Sequence, residues 1–244
     1  MSVYKKVIVR PVKRVVRKTI ATITLLSLEL LVILIAFFGA LSIFIFVARM
    51  VLRKKNGFDV WADNFITLYR NDGNTDIMQV FSFLGAHLFL IPANLILICY
   101  FLFVKKHRWY SIKIPAVAIS GVVLMFLLKY IFQRERPLTP FLEPARGLSF
   151  PSGHSFMSFT FYGLLIYLVW KSIDNKWLSS ILVTFLLVVI LFIGISRVYL
   201  EVHYATDVIA GFCMGLMWLV LSLYMLDKME RYSRRKVNPV VQAQ

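Results

Sequence analysis

Long apolar runs alternate along the chain with short segments that carry most of its charges. An α-helix needs about 20 mainly apolar residues to cross the hydrocarbon core of a bilayer. Six runs are candidates by length and apolarity, at residues 22–48, 77–104, 112–132, 155–170, 177–195 and 206–226. The pattern predicts an all-α, polytopic membrane bundle of six transmembrane helices. No polar stretch is long enough to fold alone, so we expect one membrane domain over residues 1–244, with the six-helix core at 22–226.

Three segments outside the core have patterns of their own. Residues 1–18 put seven cations on one helical face and mainly valines on the other, which favours either a basic segment on the cytoplasmic leaflet or a disordered basic tail. Residues 227–244 predict a basic cytoplasmic tail. Residues 50–76 repeat apolar side chains at roughly helical spacing, which predicts an interfacial helix over the outer leaflet. That helix could guide a lipid or seal the bundle, and we favour the seal.

Composition supports a membrane protein. Hydrophobic residues make up 59% of the chain and the mean hydropathy is +0.75, which excludes an ordinary soluble domain. The formal net charge of +16 would suggest nucleic acid in a soluble protein. Here the anionic membrane surface and the bias of cations toward cytoplasmic loops account for it, so we expect no nucleic-acid partner. Cys99 and Cys213 lie inside apolar runs and predict no disulfide.

The distribution of cations predicts the topology. With a cytoplasmic N-terminus, 18 of the 28 Lys and Arg residues fall on the inner side and ten on the outer side. This bias favours both termini in the cytoplasm of a multi-pass protein of the cell (inner) membrane.

Three polar patches lie between the predicted helices, all on the extracytoplasmic side. They cover residues 129–137, 150–155 and 196–207. Each patch has an ordinary explanation, because cations snorkel to headgroups, Pro-Ser-Gly turns cap helices, and Arg, His and Tyr are common at membrane edges. For Arg134, beside Glu135, we favour snorkelling. Together the patches offer cations for phosphate, an anion cradle made by Ser152 and the backbone N–H groups of Gly153 and His154, and two histidines, which is a set of groups suited to phosphoryl transfer.

The third patch contains the candidate nucleophile. His203 and Asp207 are four residues apart, so on a helix they would share one face. A carboxylate there can accept one imidazole N–H and leave the other ring nitrogen free to attack an electrophile. Arg197 carries a planar fork suited to phosphate oxygens, and His154 is suited to protonate a leaving oxygen.

These residues resemble a known family signature. The type 2 phosphatidic acid phosphatase (PAP2) superfamily has a three-part motif, and this chain is similar to it at Lys129…Arg136-Pro137, Pro151-Ser152-Gly153-His154 and Ser196-Arg197…His203…Asp207. The resemblance implies a PAP2-like fold and a catalytic set in which His203 forms a phosphohistidine, Asp207 orients it, and His154 serves the leaving group. It further implies five groups that bind the phosphoryl oxygens, namely Lys129, Arg136, Ser152, Gly153 and Arg197. It implies no metal and no other cofactor.

The sequence therefore predicts a metal-independent lipid phosphatase that hydrolyses a phosphomonoester or pyrophosphate at the extracytoplasmic face. The resemblance suggests undecaprenyl pyrophosphate, phosphatidylglycerophosphate or phosphatidic acid as substrates. Arg134 and Arg146, near the patches, weakly favour the diphosphate. The alternatives are a lipid A phosphatase or phosphotransferase with the same site, and a non-catalytic anion-conducting membrane protein. The expected partners are a membrane lipid phosphate and the bilayer, and the oligomeric state stays open.

One glycine pair predicts how the last helix packs. Gly211 and Gly215 form a Gly-x-x-x-Gly motif, and Gly211 lies one turn beyond Asp207 on the same face. Small residues at this spacing let a second helix approach closely. A dimer contact is the alternative, and we favour packing within the bundle.

Overall fold

The structure, a computed structural model, describes residues 28, 30–137, 141 and 147–233. The predictions for the basic segment 1–18, for most of the C-terminal tail and for Arg146 fall on residues outside these ranges. The chain divides into two units at Gly39, and the helices described below belong to the second unit, Ala40–Gln244, apart from the first part of α1.

In the described ranges every regular element is helical, which confirms the all-α fold class. The α-helices are α1 (Leu30–Leu52), α2 (Gly57–Thr67), α3 (Asp72–Leu84), α4 (His87–Cys99), α5 (Arg108–Phe132), α6 (Gly153–Ser172), α7 (Lys176–Tyr199) and α8 (Ala205–Tyr232). A π-helical turn, Tyr100–Val104, continues α4.

Five helices in the described part of the chain are long and apolar enough to cross a membrane: α1, α4 with its π-helical turn, α5, α7 and α8. This confirms a polytopic membrane fold but not the count of six. The other candidate, α6, has 20 residues and is about 30 Å long. Its sequence is more polar because much of it is buried inside the bundle, where Ser155, Ser158 and Thr160 face protein rather than lipid.

The predicted second helix, residues 77–104, is wrong as a single element. The structure divides it into α3 and α4 at Gly85 and Ala86. A Cβ atom on Gly85 would lie 2.5 Å from Ile193 Cγ2 and 2.9 Å from Ser158 Oγ. The backbone at this break therefore packs directly on α6 and α7, and α3 becomes a separate helix.

Close packing of α8 on α6 depends on the two glycines. A Cβ atom at Gly211 would lie 2.8 Å from the main-chain oxygen of Ser152, and one at Gly215 would lie 2.7 Å from Phe159 Cβ. Backbone and Cβ atoms cannot swing away as the end of a flexible side chain can. The prediction that this pair packs within the bundle is confirmed.

A buried lysine joins the start of α5 to the end of α8. Lys113 is 2% exposed, and its Nζ lies 2.6 Å from Glu230 Oε2 and also contacts Asp227 Oδ1. A buried ammonium group needs such partners, because burial removes its hydration. The contacts fix the first turns of α5 against the last turns of α8.

We predict that Lys113→Met lowers the free energy of unfolding by about 2 kcal/mol, less than for a fully buried pair because both carboxylates are partly exposed. Thermal unfolding in detergent measures the change, with Lys105→Met, which removes an exposed cation, as the control. Equal shifts in the two variants would contradict a stabilising role for the Lys113 contacts.

Candidate active site

Helix ends bring the three polar patches to one end of the bundle. Lys129 lies in the last turn of α5, Arg197 in the last turn of α7, and Asp207 in the first turn of α8. The N–H of Ser152 donates to the main-chain oxygen of Asp207 at 3.0 Å, which joins the start of α6 to the start of α8. His154, one residue into α6, lies within electrostatic range of Arg136, Arg197 and His203. All eight predicted site residues are described, and the structure brings them together.

His203 and Asp207 are in contact, but for a different reason from the one predicted. Helix α8 begins at Ala205, so His203 precedes it rather than sharing its face. The carboxylate of Asp207 turns back over the helix start, where its Oδ2 accepts the N–H of Tyr204 at 3.0 Å. The same oxygen lies 3.4 Å from Nδ1 of His203. The helix N-terminus thus holds the acid, and the preceding turn presents the imidazole to it.

The hydrogen bonds of His203 define its tautomer. Arg136 NH1 lies 3.2 Å from His203 Nε2, and a guanidinium can only donate. Nε2 therefore accepts, and the ring proton is on Nδ1, which faces Asp207 and the hydroxyl of Ser149 at 3.3 Å. Burial lowers the pKa of His203 to about 4, although Asp207 opposes the shift. The ring is neutral at pH 7, with the Nε2 lone pair directed into the site.

Three cations at this end of the bundle have no carboxylate partner among the described residues, and one of them, Arg136, contacts this nitrogen. Lys129 Nζ donates to the main-chain oxygen of Leu148, and Arg136 NH1 donates to that of Val202 at 2.7 Å. Arg197 NH1 donates to the hydroxyl of Ser82, while its buried Nε has no partner among the described residues. Burial lowers the pKa of Arg136 from its ordinary value. Uncompensated cations at the end of a bundle are costly, so this arrangement is suited to an anion.

The start of α6 supplies backbone donors. The hydroxyl of Ser152 caps the helix, because it accepts the N–H of Ser155 at 3.4 Å and the Ser155 hydroxyl at 3.0 Å. The hydroxyl predicted to bind phosphate therefore already has a structural role. The N–H groups of Gly153 and His154 have no acceptor in the described residues. Free N–H groups at a helix N-terminus are ready donors for an anion.

Sequence reasoning missed Ser149. Its hydroxyl donates to Asp207 Oδ2 and lies 3.3 Å from His203 Nδ1, and the residue is completely buried. It therefore bridges the imidazole and the carboxylate. The only signal in the sequence was a serine three residues before Ser152, which is too common a residue to single out.

The preference for snorkelling at Arg134 is wrong. Its guanidinium lies 2.7 Å from Asp207 Oδ1 and 2.7 Å from Asp59 Oδ2, instead of reaching the lipid headgroups. Asp59 was also missed, because one acid on an amphipathic helix looks like part of its solvated face. Since Arg134 is already paired with two carboxylates, it gives no reason to favour a diphosphate substrate.

Segment 57–84, which contains α2 and α3, contacts the turn that carries His203. Arg70 NH1 lies 2.6 Å from Glu201 Oε1, and the hydroxyls of Thr75 and Tyr199 are 3.0 Å apart. Glu201 has a left-handed φ of 54°, which is an unfavourable backbone conformation for a residue other than glycine. Residues of the segment 50–76, which is predicted to seal the bundle, therefore also contact the turn that carries His203.

A cavity of about 770 Å³ opens beside His203, within the usual size of ligand sites. The ends of α1 and α5, the helix α2 and the turn before α8 line it. Apolar side chains, including Leu52 and Phe132, form part of the wall, and Lys54 and Lys55 contribute cations. Lys129, Arg136 and Arg197 are not among its lining residues, whereas Tyr204 is. The cavity therefore reaches His203 on the side of Tyr204.

The fold and the site define a class: an integral membrane protein with a histidine and an anion site at one end of a helical bundle. Residues 109–231 match the sequence profile of the PAP2 superfamily. The chain belongs to the PAP2 superfamily, as its motifs indicated. It is a membrane lipid phosphatase, a hydrolase of phosphoric monoesters or pyrophosphates.

Individual relatives agree with this assignment. Phosphatidylglycerophosphatase B of Bacillus subtilis is 31% identical over 170 residues, which cover 69% of this chain and 83% of that protein. Undecaprenyl-diphosphatase of Sulfolobus acidocaldarius is 29% identical over 190 residues, covering 75% and 84% of the two chains. The crystal structure of a transmembrane PAP2 type phosphatidylglycerolphosphate phosphatase from Bacillus subtilis superposes with a TM-score of 0.73 and 26% identity. That superposition covers 81% of this chain and 99% of the other.

We predict that Ser149→Ala lowers kcat about tenfold, because a hydrogen bond to a buried carboxylate is lost while the fold is kept. The measurement is phosphate release from a lipid phosphate by the purified protein. Ser179→Ala is the matched control, since it removes a buried hydroxyl without a partner in the described structure, far along α7 from the site. Unchanged activity in Ser149→Ala would show that the bridge has no part in turnover.

Proposed function

We propose that the enzyme hydrolyses the phosphomonoester or pyrophosphate of a membrane lipid through a phosphohistidine on His203. The observation that carries this proposal is the lone pair of Nε2, which faces Arg136, a cation without a carboxylate partner among the described residues. A neutral imidazole with this tautomer is a nucleophile, and the cations favour the trianionic or dianionic group that it attacks.

The reaction would proceed in two steps. Nε2 attacks the terminal phosphorus atom, the bond from that phosphorus to the leaving oxygen breaks, and His154, in its protonated form, gives a proton to this oxygen. The leaving group is the lipid alcohol, or the lipid monophosphate when the substrate is a pyrophosphate. Water then attacks the phosphorus of the phosphohistidine, His154 takes a proton from the water, and the bond to Nε2 breaks. Inorganic phosphate leaves and His203 returns to its neutral form. Both steps transfer a phosphoryl group between oxygen and nitrogen without a change of oxidation state.

Each remaining group would stabilise charge in these steps. Arg136 exchanges Nε2 for a phosphoryl oxygen when the substrate binds, and Lys129 and Arg197 bind the other oxygens. The N–H groups at the start of α6 add donors to the same oxygens. Asp207 and Ser149 hold the proton on Nδ1 and stabilise the positive ring that forms when Nε2 bonds to phosphorus.

The likeness to phosphatidylglycerophosphatase B and to undecaprenyl-diphosphatase favours a lipid with one or two phosphates, and favours an enzyme over an anion-conducting protein. We propose a site at the extracytoplasmic face of the cell membrane with both termini in the cytoplasm. The excess of cations on the opposite side supports this topology, and the three cations of the site are accounted for by the substrate.

Phosphate release by the purified full chain in detergent, with a chelator present, tests the mechanism. The panel holds phosphatidylglycerophosphate, undecaprenyl pyrophosphate, phosphatidic acid and a water-soluble phosphate ester. We expect release from at least one lipid, an acid-labile phosphoenzyme, and loss of both in His203→Ala by at least about 10³-fold. Release that persists in His203→Ala, or that disappears with chelation, would refute the mechanism. Release only when a lipid acceptor is added would instead favour the phosphotransferase.

A second prediction concerns the diphosphate. Lys54 and Lys55 are exposed beside the cavity and, in the described structure, have no acidic partner. We expect Lys54→Gln/Lys55→Gln to raise KM about fivefold for a lipid pyrophosphate and less than twofold for a lipid monophosphate, because only the former has a second phosphate to bind in the cavity. Equal changes for the two substrates would argue against a second phosphate position there.

A further inference from the structure

Asp59 contacts the start of the helix that carries Asp207. It lies in the first turn of α2 and is 4% exposed. Its Oδ1 accepts the N–H of Thr206 at 2.8 Å, and its Oδ2 accepts the hydroxyl of Thr206 at 2.8 Å. An acid from another helix therefore satisfies one of the free N–H groups at the beginning of α8.

Arg134 connects this acid to the site. Its NH2 donates to Asp59 Oδ2 and its NH1 donates to Asp207 Oδ1, both at 2.7 Å. The guanidinium lies over the ring of Tyr204, with 4.0 Å from Cζ to the ring centroid. A continuous chain of contacts thus runs from Asp59 through Arg134 and Asp207 to His203.

We propose that Asp59 is a positioning residue for phosphoryl transfer, acting on Asp207 through Arg134. The inference rests on the proposed phosphohistidine mechanism. Arg134 holds Oδ1 of Asp207, which leaves Oδ2 directed at Ser149 and at Nδ1 of His203. The carboxylate cannot rotate away from the imidazole without breaking the contact with Arg134.

Sharing of Arg134 between two carboxylates also sets the local charge. Asp59, Asp207 and Arg134 together carry one net negative charge, on the side of His203 that faces Nδ1. If Arg134 faced Asp207 alone, its full charge would oppose the attraction of that carboxylate for the imidazolium that forms on phosphorylation. The negative charge of Asp59 offsets part of the positive charge of the guanidinium, so Asp207 keeps its ability to stabilise the imidazolium ring.

Asp63 provides a matched control on the same helix. It lies one turn after Asp59, its side chain is 47% exposed, and its Oδ1 is 3.5 Å from Arg70 NH2. It makes none of the contacts to Thr206 or Arg134. A general requirement for negative charge on α2 would affect both acids, whereas the positioning role is specific to Asp59.

The test compares Asp59→Asn, Arg134→Gln, the double variant and Asp63→Asn in the full chain with a lipid phosphate as substrate. Asparagine keeps an oxygen for the N–H of Thr206 and removes the charge. We expect Asp59→Asn to lower kcat about tenfold with KM within about twofold of wild type, because the phosphate contacts are intact. Asp63→Asn should keep kcat within about twofold of wild type. In the Arg134→Gln background the Asp59 change should lower kcat less than twofold, since the connection is already broken.

Two results would overturn the inference. One is equal kcat in Asp59→Asn and Asp63→Asn. The other is a loss from Asp59→Asn that is the same in both backgrounds and that follows the folded fraction in thermal unfolding, which is the behaviour of a residue that only clamps α8. If Arg134→Gln does not fold, the comparison of Asp59→Asn with Asp63→Asn decides alone. Activity in His203→Ala would refute the phosphohistidine mechanism instead, so the two failures are distinguishable.

Discussion

The carboxylate of Asp207 is the interaction on which the rest of the site depends. A fully buried carboxylate is stable only with several donors, and this one receives Arg134, the hydroxyl of Ser149 and the N–H of Tyr204. These donors come from three separate parts of the chain. The contacts to this one buried charge therefore hold the end of α5, the approach to α6 and the start of α8 against each other. His203 lies beside the Asp207 carboxylate and its donors.

The site combines two opposite electrostatic arrangements at one end of the helical bundle. Around Asp207, charges are paired and the hydrogen bonds are complete. On the side of Nε2, and among the residues that the structure describes, the cations contact only neutral acceptors and the N–H groups at the start of α6 have no acceptor. The paired side holds the histidine, while the unpaired side is left for an anion. This division explains how a rigid framework and a region suited to an anion coexist at one end of the bundle.

Segment 57–84 contains residues outside the motifs that support the turn carrying His203. Helix α2 and the loop after it contact the turn that carries His203 through Asp59 and Arg70, and α3 contacts Arg197 through Ser82. These contacts add to the main-chain hydrogen bonds that the turn makes with the end of α7, and they support the left-handed residue Glu201. In a membrane enzyme this support comes from outside the spanning helices, because the spans are committed to lipid on one face and to close packing on the other.

The sequence by itself determined the membrane class, most of the helices and the eight motif residues, because apolar run length and local residue spacing are properties of neighbouring positions. It also indicated the close approach of α8 through Gly211 and Gly215. Only the tertiary structure decided that residues 77–104 break at Gly85, that His203 precedes its helix, and that Ser152 caps α6. It also decided the partners of Ser149, Arg134 and Asp59, which are 58, 73 and 147 residues from theirs. Pairing across such distances depends on which buried charge needs which donor, and no local pattern contains that information.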